Sequence, residues 1–253
     1  MPARPNPTPK TPRWAAFLIP KPRWWTGRTY GPLKALCEAA VLRHIGADRA
    51  LQVRPGLVVG PHDPTQRFIW WPARLARAAQ DGLPVLAPGD PQRTLQCIDA
   101  RDLASFMLHL VETGAAGAVN VAAPPGFCTM AGLLQACADA AGADAAQAAA
   151  QLRWVADDTL LALGVKPWVD LPLWLPAQGE HAAFMQVPVG RALALGLSIR
   201  PLAQTVADTL AWWRALPPAA QAFTLAGLTA ERESALLAAL LSPFSAAPMA
   251  GQG

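Results

Sequence analysis

Charge is scarce in this chain of 253 residues: 15 % are Asp, Glu, Lys or Arg, while 53 % are hydrophobic. That balance excludes a disordered polyelectrolyte and supplies enough apolar material for a sizeable core. Long apolar runs are missing as well. The longest, such as Ala235 to Leu241, fall far short of the ~20 residues that a membrane-crossing helix needs. No charged start leads into an apolar stretch and a small-residue cleavage site, so no secretory signal is read and a cytoplasmic location is expected. Cys37, Cys97, Cys128 and Cys137 form no C-x-x-C and have no histidines at ligand spacing. Neither a metal site nor a disulfide framework follows from them; free thiols in a reducing compartment do. G-x-S-x-G, Walker-type lysine and H-E-x-x-H patterns are all absent. Glycines occur in loops, but none builds a phosphate cradle between a strand and a helix.

Acidic residues are missing altogether from Met1 to Cys37, where Arg4, Lys10, Arg13, Lys21, Arg23, Arg28 and Lys34 stand. The net charge of +4 is therefore local to this end, and the remainder of the chain is slightly acidic. Pro2, Pro5, Pro7, Pro9, Pro12, Pro20 and Pro22 forbid a useful helix and interrupt any ladder. Trp14, Trp24 and Trp25 interleave with the basic residues, a mixture that suits stacking on single-stranded nucleic acid or a membrane surface. Neither periodicity nor a repeat supports such a module. Residues 1–28 read as an irregular basic tail, with no specific nucleic-acid partner and no membrane expected.

Tyrosine occurs once, at Tyr30, and Lys34 follows it at helical spacing. With Pro32 read as part of a first helical turn, both side chains fall on one face. An ammonium beside a phenol favours the ionised phenol and makes it an acid/base candidate; a packed tyrosine beside a solvated lysine is the alternative. Helical spacing continues through Leu33, Leu36, Ala40, Val41 and Ile45, and Gly46 offers a stop. Leu51 to Val59 reads as a valine-rich parallel strand buried on both faces. A helix is expected over Phe68 to Ala79, short strands at Pro84–Leu86 and Leu95–Asp99, and a helix capped by Asp102 and running to Val111. Further strands are expected at Ala118–Ala122 and Gln151–Val155, with helices at Thr129–Ala141, Asp157–Leu163, Val187–Leu195, Pro201–Arg214 and Thr229–Leu241. His62 and Asp63 lie in a turn that either meets substrate or is simply solvated. Asp99 and Asp102 are assigned structural roles, and His109 is read as packed or exposed.

Three blocks follow in order: Tyr30-Gly31-Pro32-Leu33-Lys34, then Ala50-Leu51-Gln52-Val53-Arg54-Pro55-Gly56-Leu57-Val58-Val59-Gly60-Pro61, then Arg93-Thr94-Leu95-Gln96-Cys97-Ile98-Asp99-Ala100-Arg101-Asp102-Leu103-Ala104. Together they resemble the second half of an extended short-chain dehydrogenase/reductase, the NAD-dependent epimerase/dehydratase family. The resemblance covers Thr26 to Arg214. It implies an α/β fold: part of a Rossmann-type doubly wound parallel sheet, with an interleaved smaller α/β substrate domain. Residues 29–125 would form the remaining half of the dinucleotide domain with interleaved substrate-domain segments. Residues 126–216 would form the smaller domain and closing helices, and 217–253 a helical extension. The glycine-rich first half of that fold has no counterpart here.

The resemblance also implies roles. Tyr30 and Lys34 would be catalytic, Lys34 also bonding the nicotinamide ribose of NAD or NADP. The backbone of Pro55, Gly56 and Leu57 would lie beside the nicotinamide; the alternative is that Pro55-Gly56 merely ends or bends the strand. Arg93 would hold phosphates of a small-molecule substrate, for which a guanidinium is apt; an ordinary surface arginine is the alternative. Where sugar-nucleotide epimerases often carry an asparagine, this chain has Arg54-Pro55-Gly56-Leu57, which weakens a nucleotide-sugar assignment. The family's serine or threonine ahead of the tyrosine would fall within Pro5 to Thr8, in the proline-rich tail, and is not carried over. Helices like the one after Tyr30 imply a homodimer. Lys166 to Pro176 fits the family's specificity loop, its Trp168 and Trp174 lining a pocket or packing in the core. Three functions follow: an NAD(P)-dependent oxidoreductase or epimerase, a truncated non-catalytic fragment of that family, or a protein that binds through its basic tail.

Overall fold

A computed structural model describes residues 27–241 apart from Glu180; the basic tail lies almost wholly outside the described residues. The first element among the described residues is helix α1 (Gly27–Ile45), which starts ahead of Tyr30, so Pro32 stands inside it rather than in its first turn. Gly46 takes a positive φ of 91° and turns the chain back into strand β1 (Leu51–Pro55). The single strand expected over Leu51 to Val59 is two. Gly56 separates β1 from β2 (Leu57–Val59), and the two pair with different partners.

Helix α2 (Arg67–Asp81) and strand β3 (Val85–Pro88) follow, then β4 (Thr94–Leu95), β5 (Cys97–Asp99) and α3 (Ala100–Glu112). Asp99 rather than Asp102 caps α3, its carboxylate accepting the Arg101 N–H. Strands β6 (Gly117–Val121) and β7 (Cys128–Thr129) lead into α4 (Met130–Ala141), which Thr129 caps as its sequence position predicts. The remaining elements are α5 (Ala145–Gln151), β8 (Leu152–Val155), α6 (Asp157–Ala162), α7 (Gly190–Ala194), α8 (Leu202–Arg214) and α9 (Ala230–Leu241).

Pairing is mainly parallel: β1 with β6 from Leu51 opposite Gly117 to Pro55 opposite Val121, β2 with β5, and β3 with β8. Strands β4 and β7 form a short antiparallel pair. The larger core lies where α2, α4 and α8 meet β3 and β8, with Trp70, Trp71, Leu86, Leu134, Trp174 and Val206 buried together. Burial of an indole contributes on the order of 25 cal/mol per Å² of apolar surface, which is why Trp70 and Trp71 fix α2 against this core. A smaller core of Ile98, Phe106, Leu110, Val119, Val121 and Ala192 joins α3 and α7 to β6.

Strand β1 departs from the expected burial. Arg54 and Pro55 are exposed and only Gln52 is buried, because among the described residues β1 has a neighbour on one side alone. Helix α1 is covered no better, with Tyr30, Leu36, Val41, Leu42 and Ile45 all exposed. Polar contacts tie it to β1: the Glu38 carbonyl accepts from Gln52 Nε2 at 2.9 Å, and the Glu38 carboxylate pairs with Arg54. The Arg54 guanidinium holds the Glu38 carboxyl below its ordinary value. No helix among the described residues is long and apolar enough to cross a membrane.

Candidate functional site

The turn after Ile45 leads α1 into β1, and Glu38 contacts both Gln52 and Arg54. Tyr30 lies near the start of α1, and Pro55-Gly56-Leu57 spans the end of β1 and the start of β2. Lys34 Nζ sits 5.9 Å from the centre of the Tyr30 ring, and the tyrosine is 50 % exposed. Gly56 is needed for packing: its N–H donates to the Val121 carbonyl at 2.9 Å, and a Cβ there would stand 3.0 Å from Ala122 Cβ. That close approach explains the glycine and the strand break.

Leu57 continues towards a second region, bordering a small cavity with Leu95, Gln96 and Met185. Leu95 and Met185 also wall a cavity of about 290 Å³ that Arg93 lines. Gln96 holds this wall in place. Its Nε2 donates to the Ala123 and Val187 carbonyls at 2.9 and 2.8 Å, and its Oε1 accepts the Val187 N–H at 2.9 Å. Nothing in the spacing of the sequence marked Gln96.

Arg93 is drawn inward. Its Nη1 and Nη2 donate to the two oxygens of Asp157 at 3.0 and 2.6 Å, and Nη1 also reaches the Leu175 carbonyl at 2.7 Å. Asp157 accepts from Trp174 Nε1 at 2.8 Å and from the Ala177 N–H at 2.9 Å as well. Burial pushes its carboxyl up, but the Arg93, Trp174 and Ala177 hydrogen bonds outweigh it and hold the group below its ordinary value. Gly89 has a positive φ of 65°, and a Cβ on it would fall 2.6 Å from Asp157 Oδ1, so only glycine permits the pair to close beneath it. Sequence alone read Asp157 as a helix start; its pairing across 64 positions left no local signal.

Other candidates serve the fold. Asp63 accepts the Thr65 N–H at 2.8 Å, and His62 packs 5.1 Å from the Trp212 ring. Asp99 takes hydrogen bonds from Arg101 and Thr205, and these overcome the raising effect of burial to depress its carboxyl. Asp102 is buried against the Arg200 N–H and guanidinium. Of the specificity-loop indoles, Trp174 is in the core, while Trp168 lies partly exposed, 5.3 Å from Phe184.

Among solved structures, this chain is similar to a GDP-L-fucose synthetase from Naegleria fowleri bound to NADP, with a TM-score of 0.50 and 14 % identity over 74 % of this chain and 51 % of that one. The fold is Rossmann-type α/β. RMD from Pseudomonas aeruginosa complexed with NADPH aligns at a TM-score of 0.48 and 19 % identity over 72 % of this chain and 52 % of that one. A UDP-glucuronic acid 4-epimerase from Bacillus cereus in complex with NAD aligns at 0.48 and 14 % identity, over 74 % and 51 % respectively. The chain thus spans about half the length of these structures. Neither a family model nor a curated protein matches the sequence.

The half-exposed phenol and the ammonium beside it are groups that could bond the ribose hydroxyls of a nicotinamide dinucleotide. Among the described residues, the strand-to-helix connections hold a single glycine, Gly60, and no glycine-rich turn leads to a helix N-terminus. The pyrophosphate therefore has no seat in these residues.

Proposed function

We propose that this chain is the substrate-side portion of an NAD(P)-dependent oxidoreductase or epimerase of the extended short-chain type, acting on a hydroxyl or carbonyl of a small molecule. The observation that carries the reading is the Tyr30–Lys34 pair, one helical turn apart near the start of α1. Tyr30 Oη gives a proton to a substrate oxygen or takes one from it. Lys34 Nζ stabilises the negative charge that Tyr30 Oη carries when it has given up its proton, and bonds the ribose hydroxyls. The backbone of Pro55, Gly56 and Leu57 orients the ring beside them. When bound, the nicotinamide supplies or accepts the hydride, whether as NAD or as NADP. The similar GDP-L-fucose synthetase structure holds NADP, which supports this class of cofactor.

The uncovered apolar side of α1 and the one-sided pairing of β1 favour a second reading, in which the chain is a non-catalytic fragment whose sheet edge waits for another polypeptide or a second copy. Titration of the purified chain with NADH and NADPH, followed by nicotinamide fluorescence, separates the two. Micromolar binding that Lys34→Ala weakens supports the enzyme; a folded chain that binds neither nucleotide supports the fragment. Where turnover is measured, Tyr30→Phe nearly abolishes it with the fold intact, and retained turnover removes Tyr30 from the chemistry. Salt-dependent retention on a nucleic-acid column would instead point to the basic tail.

A further inference from the structure

We propose that the cleft beside Arg93 takes an uncharged substrate with a flat apolar body and no phosphate group. The inference names the substrate class of the oxidoreductase reading and rests on it for the reaction, but not for the binding.

Charge decides against a phosphate. The cavity of about 290 Å³ adjoins one of about 710 Å³, the two sharing Asp90, Arg93, Pro176 and Ala177 as walls. Asp90, Asp157 and Asp158 line the larger one against a single basic group, Arg93. That guanidinium is already closed on both Asp157 oxygens and on the Leu175 carbonyl. A diphosphate could engage Arg93 only by opening a half-buried pair, and would then face three carboxylates at close range. Like charges brought together beside the Arg93–Asp157 pair oppose binding.

Shape and surface decide for a flat apolar body. Pro176 and Gln178 also wall a third cavity of about 580 Å³, in the size range of small-molecule sites, where Trp168, Phe184 and Pro167 meet His181. The Trp168 and Phe184 rings stand edge to face at 5.3 Å, and the Arg67 guanidinium, its Nε without a hydrogen-bond partner among the described residues, lies 5.8 Å from the centre of the Trp168 ring. Trp168 has a left-handed φ of 67°, as does Leu173, which lines the Arg93 cavity. A bulky residue held there is strained, and it persists because the surrounding structure over-determines it. Here the Trp168 N–H donates to the Trp174 carbonyl at 3.0 Å, and Trp71 Nε1 donates to the Pro172 carbonyl at 2.7 Å, so the loop is tied to the core at both ends with its indole turned to the cavity.

The test is a fluorescence titration of the chain with N-phenyl-1-naphthylamine, a flat uncharged probe, with UDP-glucose and inorganic pyrophosphate as competitors and no nicotinamide present. Expected are micromolar probe binding, about a tenfold loss in Trp168→Ala and in Phe184→Ala, and no displacement by either phosphate compound at millimolar concentration. Phe184 is half exposed, so its variant folds even where removal of Trp168 disturbs the loop. Probe binding that neither variant changes, or displacement by UDP-glucose or pyrophosphate that Arg93→Ala abolishes, overturns the proposal. Failure of NADH binding in the separate titration leaves this result unaffected.

Discussion

Replacing Glu233 by alanine removes the carboxylate on which α9 is docked. Glu233 and Arg74 are 2 % and 4 % exposed. Glu233 Oε2 accepts from Arg74 Nε at 2.6 Å and Oε1 accepts the Leu86 N–H of β3 at 3.0 Å. Without it, the Arg74 guanidinium keeps only the Pro84 carbonyl, since its Nη1 has no hydrogen-bond partner even in the intact protein. Breaking a buried pair by deleting one partner costs about 3–5 kcal/mol, and a stranded N–H adds about 1–3 kcal/mol where it stays dry. Partial overlap of the two effects gives a working figure of about 4 kcal/mol. At ~2–4 °C per kcal/mol for a domain of this size, Tm falls by roughly 8–16 °C. Urea and thermal unfolding followed by circular dichroism read both quantities. Glu233→Gln keeps an acceptor for Leu86 and should fall between the two. The double change Arg74→Met with Glu233→Leu, apolar on both sides, should recover most of the loss. A shift below about 3 °C in Glu233→Ala, equivalent to about 1 kcal/mol, would refute the claim that this pair anchors α9.

Acid stability tests the Arg93 pair. The folded Asp157 carboxyl lies below its ordinary value, so its stabilisation is fully present above about pH 4 and is lost as pH falls through the lowered folded value. Asp157→Asn is expected to be less stable at neutral pH and to flatten the acid limb; a limb as steep as that of the parent protein contradicts this. Thiol titration tests burial. Burial pushes Cys97 and Cys128 up to about 12 and raises Cys137 well above its ordinary value, whereas Cys37 is exposed. A disulfide reagent at pH 8 should therefore modify Cys37 rapidly and the other three only on unfolding, and rapid reaction of a second thiol would show one of those sites open. Gly227→Ala should destabilise by about 2–4 kcal/mol, because the added methyl would meet the Trp70 indole at 1.9 Å on a backbone at φ 94°. Unchanged urea unfolding would show that the indole yields freely.

Much of the fold was legible because its signals are local. Thr129 caps α4 as its position ahead of an alanine-rich run predicts, and the helical periodicity of Leu202, Val206, Leu210 and Trp213 marks α8. The Tyr30–Lys34 spacing likewise placed both side chains on one face before any tertiary contact was known. Where the reading slipped, the deciding partner was far away. Asp99 took the cap expected of Asp102 because α3 begins at Ala100, which leaves Asp102 inside the first turn, where Arg200, far along the chain, bonds it. Leu51 to Val59 looked like one doubly buried strand because its valines carry that pattern. Its exposure depends on which neighbours are there to cover it.

Sequence by itself determined most helices and strand positions and the phenol–ammonium pair, since each follows from spacing within a few turns; it missed α5 and took Cys37, which is exposed, for a buried thiol. Tertiary structure alone decided that Arg93 closes on Asp157, that Glu233 anchors α9 on Arg74 and β3, and that Trp168 rather than Trp174 faces a cavity. The physical reason is distance along the chain. A charge or ring gains its partner only after loops of many residues have closed, and the entropy of that closure leaves no mark in the local pattern.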